Sequence, residues 1–151
     1  MTRVAIPSTG NAAAALAAYG GAVGFELYTF MPQDVPESNL KECMYAGANV
    51  YLVNGLISHA AEIVKKLGKR HEWFDLSTNK QPYRFEGCKA MAFELAEQFH
   101  WHLPDNILFP TGGGEGIIGL WRGFAELIEL GWTRTIPRLT IVQSASCAPV
   151  S

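Results

Sequence analysis

Strand-like and helix-like segments alternate along this chain of 151 residues. Short apolar runs predict strands at Val4–Ile6, Phe25–Met31, Asn49–Val53, Glu72–Leu76, the run that begins at Ile107, and Arg138–Gln143. Apolar residues at helical spacing predict helices at Ala12–Tyr19, Asn39–Tyr45, Ile57–Leu67, Cys88–Phe99 and Ile117–Leu130. Repeated strand–helix units bury a parallel sheet between helices. The sequence therefore predicts an α/β fold with parallel sheets, flanking helices and three αβα layers.

Glycine and other turn-forming residues mark the ends of these segments. Gly20 and Gly21 are expected to end the first helix, because helices commonly stop at glycine. Turn-forming residues cluster between Ser77 and Pro82, which predicts a boundary between two lobes. We therefore divide the chain into residues 1–76 and residues 77–151.

The composition argues against several classes of function. The net charge is −2 and no long basic run occurs, so a nucleic-acid or anionic-membrane partner has no electrostatic support. No apolar stretch approaches the ~20 residues that span a bilayer. The three cysteines are far apart and lack CxxC spacing, which predicts a reduced, cytoplasmic chain without disulfides. His100 and His102 have no third ligand nearby in sequence, so no metal site is predicted.

A glycine cluster lies where a predicted strand meets a predicted helix, in the stretch ILFPTGGGEGIIGLWRGF at 107–124. Glycine costs about 0.5–1 kcal/mol relative to alanine inside regular structure, so the cluster needs a reason. Glycine permits a positive φ and lets the backbone approach a ligand closely. A helix that starts just after the cluster offers unpaired N–H groups to an anion.

Several interpretations of this cluster compete. A P-loop fails because Ile117 and Ile118 stand where Lys and Ser or Thr are needed. A dinucleotide fingerprint, GxGxxG, runs from Gly114 to Gly119, but the next predicted strand ends in Gln143 rather than in an acidic residue. A single phosphate ester bound by successive backbone N–H groups fits the loop. A ligand-free turn that lets a helix pack closely on a strand fits it as well.

A second strand–turn–helix junction, IPSTGNAAAALAAYG, favours the phosphate interpretation. It places Ser8, Thr9 and Asn11 beside the free N–H groups of a helix start, where a carboxylate can bind. Ser8 or Thr9 also fits the simpler role of a helix cap. Two anion-holding turns in one α/β chain suggest a ligand with a phosphate at one end and a carboxylate at the other. An amino-acid adduct of pyridoxal phosphate has that description.

Five segments, which together cover nearly the whole chain, carry a resemblance to a known family. They are PSTGNAAAALAAYG, MPQDVPESNLKECMYAGANVYLVNGLI, WFDLSTNKQPYRFEGCKAMAFELAEQ, PTGGGEGIIGLWRGFAELIELGW and VQSASCAPV. They resemble threonine synthase, within the fold type II (tryptophan synthase β-like) pyridoxal phosphate enzymes. PYRFEG is similar to the threonine synthase subgroup rather than to threonine dehydratase or cysteine synthase. STGN and GGG are shared across the superfamily.

The resemblance implies a role for each turn. The loop whose backbone amides bind the cofactor phosphate matches Gly112, Gly113, Gly114, Glu115 and Gly116. Asn11 matches the asparagine that hydrogen-bonds the ring hydroxyl oxygen of the cofactor, and Ser8, Thr9 and Gly10 match the turn that receives the substrate carboxylate. Residues 1–76 then correspond to a small lobe facing substrate and cofactor, and residues 77–151 to part of the large lobe that binds pyridoxal phosphate.

Two parts of the family pattern have no counterpart in the sequence. In the family the Schiff-base lysine precedes the STGN turn, in a segment similar to SFKDRG, whereas the first lysine here is Lys41. The polar partner of the pyridine nitrogen follows CAPV in the family. The resemblance therefore implies a central fragment, inactive alone and without an assigned catalytic residue.

In the complete family the reaction converts O-phosphohomoserine to threonine and phosphate. Another lyase of the dehydratase or diaminopropionate ammonia-lyase type, and a non-catalytic remnant with a binding or structural role, are the alternatives. Sheet edges left open in a fragment predict self-association or a homo-oligomer.

Overall fold

A computed structural model of the chain describes residues 2–150. Within this range the strands are Arg3–Pro7 (β1), Glu26–Pro32 (β2), Asn49–Val53 (β3), Phe74–Asp75 (β4), Asn106–Pro110 (β5) and Arg138–Val142 (β6). The helices are Asn11–Val23 (α1), Glu37–Tyr45 (α2), Ile57–His71 (α3), Pro82–Cys88 (α4), Ala90–Gln98 (α5) and Glu115–Glu129 (α6). The chain divides into two compact units, Met1–Lys80 and Gln81–Ser151.

The first unit is a parallel sheet with strand order β3-β2-β1-β4. Along β2, successive side chains point to opposite faces of the sheet. Leu27 and Met31 pack with α1 and α2, whereas Phe30 packs with Ala60 and Val64 of α3. Helices therefore cover both faces, which gives three αβα layers in this unit. The predicted α/β fold with parallel sheets and flanking helices is confirmed.

Helix α1 does not end at Gly20 and Gly21 as predicted. It continues to Val23 and ends at Gly24, whose φ of 77° is the left-handed conformation that suits glycine at a helix end. Gly20 is instead a packing position, because a Cβ there would lie 2.6 Å from a ring carbon of Phe25. Gly20 thus leaves room for the Phe25 ring beside α1 without ending the helix.

Other boundaries also differ from the prediction. Helix α3 runs past Gly68 to His71, and β4 is only two residues long. Helix α4 was not predicted, although Pro82 at its first turn is a typical start signal. Helix α6 begins at Glu115, two residues before the predicted start at Ile117.

The second unit packs α5 and α6 against one face of the parallel pair β5-β6. The buried core lies on the two helices, at Ala92, Ala96, Leu120, Phe124 and Leu127. Ile107 and Phe109 of β5 pack against this core, whereas Leu108, between them, points the other way and is 70% exposed. The two-stranded sheet therefore has one covered face and one uncovered face.

Glycines on α6 allow α4 and α5 to approach it closely. A Cβ at Gly119 would lie 2.9 Å from the carbonyl carbon of Cys88, and one at Gly123 would lie 2.8 Å from the carbonyl oxygen of Lys89. Both clashes are with backbone, which cannot move aside without displacing a helix. Gly119, the last glycine of the GxGxxG pattern, thus has a packing reason that involves no ligand.

We expect Gly123→Ala to lower the free energy of unfolding by about 1–3 kcal/mol, because the new methyl group overpacks the contact between α5 and α6. Gly87→Ala is the matched control. Gly87 lies in α4 of the same unit with open space around it, so this change should be neutral or stabilising by up to about 1 kcal/mol. Urea unfolding followed by tryptophan fluorescence measures both, since Trp101, Trp121 and Trp132 belong to this unit. Equal effects of the two substitutions would contradict the packing argument.

Candidate functional site

The glycine loop joins the carboxyl end of β5 to the amino end of α6. Gly114 precedes the first residue of α6 and has a φ of 94°, a conformation that favours glycine. The first N–H groups of a helix have no partner within the helix, and the helix dipole places partial positive charge at the same end. The loop between Pro110 and Glu115 therefore ends at a cluster of backbone donors suited to an anion.

The neighbouring strand β6 holds this loop in place through Gln143. The side-chain amide of Gln143 donates hydrogen bonds to the carbonyl oxygens of Thr111 (2.9 Å) and Gly112 (3.1 Å). The side-chain oxygen Oε1 of Gln143 accepts a hydrogen bond from the N–H of Val150 at 3.1 Å. The sequence does not by itself predict this role for Gln143. Its position directly after β6 could have indicated the role, because β6 pairs in parallel with β5 and therefore ends beside the loop.

The predicted phosphate-binding residues differ in their surroundings. Gly112 and Gly113 are exposed, and a Cβ at Gly112 would meet nothing within 4 Å. Gly116 lies in the first turn of α6, where a Cβ would come within 3.1 Å of the Phe109 ring. Gly112 leaves space beside the loop backbone, and Gly114 provides the positive φ before α6. Gly116 lets α6 pack close to the Phe109 ring of β5. Their assignment to a cofactor phosphate stays a prediction.

The second predicted turn follows β1 in the first unit. Ser8 is buried, and its hydroxyl oxygen accepts hydrogen bonds from the N–H groups of Gly10 (3.2 Å) and Ala13 (3.3 Å). Ser8 therefore caps the start of α1, as the simpler interpretation of this turn requires. Thr9 is exposed and its carbonyl oxygen accepts a hydrogen bond from Asn39.

Asn11 is the first residue of α1 and is exposed. The turn thus brings Ser8, Thr9, Gly10 and Asn11 together at the carboxyl end of β1, the end of a parallel strand where ligands bind in α/β sheets. Their roles toward substrate and cofactor stay predictions.

Charged residues of the PYRFEGCK segment join α4 and α5 to α6. Three ion pairs connect them: Arg84 to Glu115 at 2.7 Å, Glu86 to Arg122 at 2.8 Å, and Lys89 to Glu126 at 2.6 Å. Lys89 also contacts Glu86 at 2.6 Å. Arg84 and Glu86 lie in PYRFEG, which resembles the threonine synthase subgroup, but the sequence does not predict a contact for either residue. These pairs join the PYRFEGCK segment to the start, the middle and the end of α6.

Lys89 is not suited to act as a nucleophile. Its hydrogen bonds to Glu126 and Glu86 raise the pKa of the Lys89 ammonium group above its usual value. A lysine attacks a carbonyl only as the neutral amine, so these partners hold Lys89 in the unreactive form. Lys41 and Lys66 are exposed residues in ion pairs with Glu37 and Glu62 on their own helices.

Neither a metal centre nor a membrane span is found in the part of the chain that the structure describes. Residues 2–150 contain no group of three or more His, Cys, Asp and Glu side chains placed to hold a metal ion. His100 and His102 lie in a tight turn, in which the φ of His100 is 51°. None of the described helices is both long enough and apolar enough to cross a bilayer.

Comparison with known proteins identifies the class to which this fold and loop belong. Residues 1–151 match the family described as pyridoxal-phosphate dependent enzyme, and the chain belongs to that family. The cofactor of the family is pyridoxal phosphate, and a glycine loop that leads into a helix start fits its phosphate group.

Within this family the chain is similar to threonine synthases. It is 34% identical to the threonine synthase of Methanocaldococcus jannaschii over 148 residues, which are 97% of this chain and 36% of the relative. It is 33% identical to that of Methanosarcina acetivorans over 151 residues, covering 99% of this chain and 37% of the relative. The resemblance found in the sequence is confirmed. The chain spans little more than a third of the length of these relatives.

Solved structures share the fold. The apo form of diaminopropionate ammonia lyase from Escherichia coli superposes with a TM-score of 0.81 at 15% identity, covering 99% of this chain and 43% of that one. A pyridoxal 5'-phosphate-dependent aspartate racemase superposes with a TM-score of 0.76 at 20% identity, covering 94% of this chain and 40% of that one. At these identities the likeness concerns the fold alone.

The ion pairs on α6 predict a pH-dependent stability. The hydrogen bond from Lys89, together with the Arg122 charge, lowers the pKa of Glu86 below the value of about 4.3 for a free glutamate. A carboxylate whose folded-state pKa is depressed stabilises the protein above its unfolded pKa, and that stability is lost as the pH falls through the folded value. We therefore expect Glu86→Gln to lower the melting temperature at neutral pH and the difference from wild type to vanish in acid.

Melting curves by circular dichroism from about pH 7 down to about pH 3 measure this difference. Glu97→Gln, on the exposed face of α5, is the control, because Glu97 forms no ion pair within residues 2–150. A deficit for Glu86→Gln that stayed constant across the whole range would refute the charge-based explanation.

Proposed function

We propose that this chain supplies the phosphate-holding part of a pyridoxal phosphate-dependent lyase of the threonine synthase type. The substrate is O-phosphohomoserine, which loses its phosphate, and water adds at Cβ to give threonine. The single observation that carries the proposal is the glycine loop between β5 and α6, with Gly114 in the left-handed conformation directly before the helix. The similarity to threonine synthases over almost the whole chain supports it.

When bound, the cofactor provides an electron sink for carbanion chemistry, and the protein provides binding and orientation. The backbone N–H groups from Gly112 to Gly116 bind its phosphate. Asn11 donates a hydrogen bond to the ring hydroxyl oxygen, and the turn of Ser8, Thr9 and Gly10 receives the substrate carboxylate. Because the Ser8 hydroxyl already accepts two backbone hydrogen bonds, its part in this turn is to fix the shape rather than to bind.

No lysine that links the cofactor is assigned in this chain. Lys89 is held as a cation. The other lysines are exposed; they are Lys41, Lys65, Lys66, Lys69 and Lys80. We therefore propose that the chain alone is inactive as a lyase. The alternatives are a dehydratase or diaminopropionate ammonia-lyase activity for the whole protein, and a non-catalytic role.

A chimera tests the substrate assignment. In it, this chain replaces the 148-residue stretch of the Methanocaldococcus jannaschii threonine synthase that it matches. With pyridoxal phosphate added, we expect the chimera to release phosphate from O-phosphohomoserine and to form threonine. The parent enzyme is the positive control, and a chimera with Gly114→Val, which cannot easily adopt the positive φ, is the negative control.

Faster conversion of threonine or diaminopropionate than of O-phosphohomoserine would assign the chain to one of the other lyases. A folded chimera that binds pyridoxal phosphate but acts on none of the three substrates would favour the non-catalytic role.

We also propose that the chain self-associates in the cytoplasm through the uncovered face and edges of β5-β6. Leu108 and Val142 on these strands are exposed, at 70% and 46%, and an open strand edge is a template for pairing with another chain. Light scattering over a wide concentration range should show dimers or larger species. Leu108→Lys should shift the distribution toward monomer, and a wild-type monomer at every concentration would refute the proposal.

A further inference from the structure

Glu115 places a negative charge in the loop that is proposed to hold a phosphate. It is the first residue of α6, and its side chain is only 9% exposed. A carboxylate at a helix N-terminus is stabilised by the same partial positive charge that attracts an anionic ligand. It also repels a phosphate dianion bound within a few ångströms. Left to itself, Glu115 would therefore compete with the ligand for the start of α6.

Arg84 engages this carboxylate. Its guanidinium Nη2 lies 2.7 Å from Oε2 of Glu115, and its side chain is 24% exposed. Because both partners are largely buried, salt screens their interaction less than it would at the surface. The distance is typical of a charge-assisted hydrogen bond.

The position of Arg84 is fixed by the packing of the rest of its segment. Helix α4 ends at Cys88, which lies against Gly119 of α6. This packing, which does not involve the loop, brings the guanidinium to the first turn of α6.

We propose that Arg84 is a positioning residue for the phosphate loop: it draws the Glu115 carboxylate to itself and cancels its charge, so that the backbone donors are available to an anion. The inference rests on the proposed function, since it concerns the same loop. We therefore expect the loss of Arg84 to weaken the affinity for phosphate only while residue 115 is charged.

Arg122 provides a matched comparison within the structure. It also forms an ion pair between α4 and α6, with Glu86 at 2.8 Å. It lies seven residues after Glu115, which is about 10 Å along the helix. Removing Arg122 therefore costs an ion pair between the same two helices but leaves the charge at the loop unchanged.

The test measures the affinity of the full chain for pyridoxal phosphate, with pyridoxal, which lacks the phosphate, as the reference ligand. Dissociation constants are obtained by fluorescence titration for wild type, Arg84→Met, Glu115→Gln, the double variant and Arg122→Met. Circular dichroism confirms that each variant is folded. We expect wild type to prefer pyridoxal phosphate over pyridoxal, and Arg84→Met to weaken the binding of pyridoxal phosphate about tenfold through the uncancelled charge.

The other variants separate charge compensation from a structural role. Glu115→Gln should bind pyridoxal phosphate at least as tightly as wild type, and the double variant should return to within about threefold of wild type, since the two changes are coupled. Arg122→Met should leave the affinity unchanged. Arg84→Met should not alter the affinity for pyridoxal.

Three results would overturn the inference while leaving the proposed function intact. Unchanged affinity in Arg84→Met would show that the Glu115 charge has no effect on the loop. A double variant as weak as Arg84→Met would mean that Arg84 acts on the anion or on the fold directly. A tenfold weakening by Glu115→Gln would mean that the ion pair matters for structure rather than for charge, and this variant decides the question if Arg84→Met does not fold. A wild-type chain without any preference for pyridoxal phosphate would instead refute the loop assignment itself, and the inference with it.

Discussion

The close contact between α6 and the segment formed by α4 and α5 is the constraint on which the second unit depends. Gly119 and Gly123 remove the side chains that would hold the helices apart, and the backbone at Cys88 and Lys89 fills that space. Ion pairs also join this segment to the start, the middle and the end of α6. The position of the loop's end depends on this contact, because the donors there are the first N–H groups of α6.

Two glycines of the GxGxxG pattern therefore have different structural roles, which the pattern itself does not distinguish. Gly114 turns the backbone into the helix through a positive φ, which is a requirement of the loop. Gly119 provides a close helix–helix approach, which is a requirement of the core. A motif search treats both as one fingerprint for a dinucleotide. The structure separates them: Gly114 shapes the loop that is proposed to hold a phosphate, whereas Gly119 lies at a helix–helix contact.

Local signals made most of the fold predictable from sequence. Strand β3 was predicted with the bounds that the structure has, because Asn49–Val53 is an apolar run between turn residues. Features that depend on distant residues were missed. The close approach of Gly119 to Cys88 and the pair of Arg84 with Glu115 each join residues about thirty positions apart without a periodic pattern. The glycine loop was found because its signal is local, whereas the residues that hold it were not.

The loop between β5 and α6 binds, on this proposal, with main-chain amides rather than with titrating side chains. An amide N–H carries no proton that is lost near neutral pH, so the donors themselves do not change with acidity. The second ionisation of a phosphate monoester, near pH 6, then becomes the main source of pH dependence in binding. Acidity would act on such a site through the charge of the ligand, and the protein would present the same set of donors to either form.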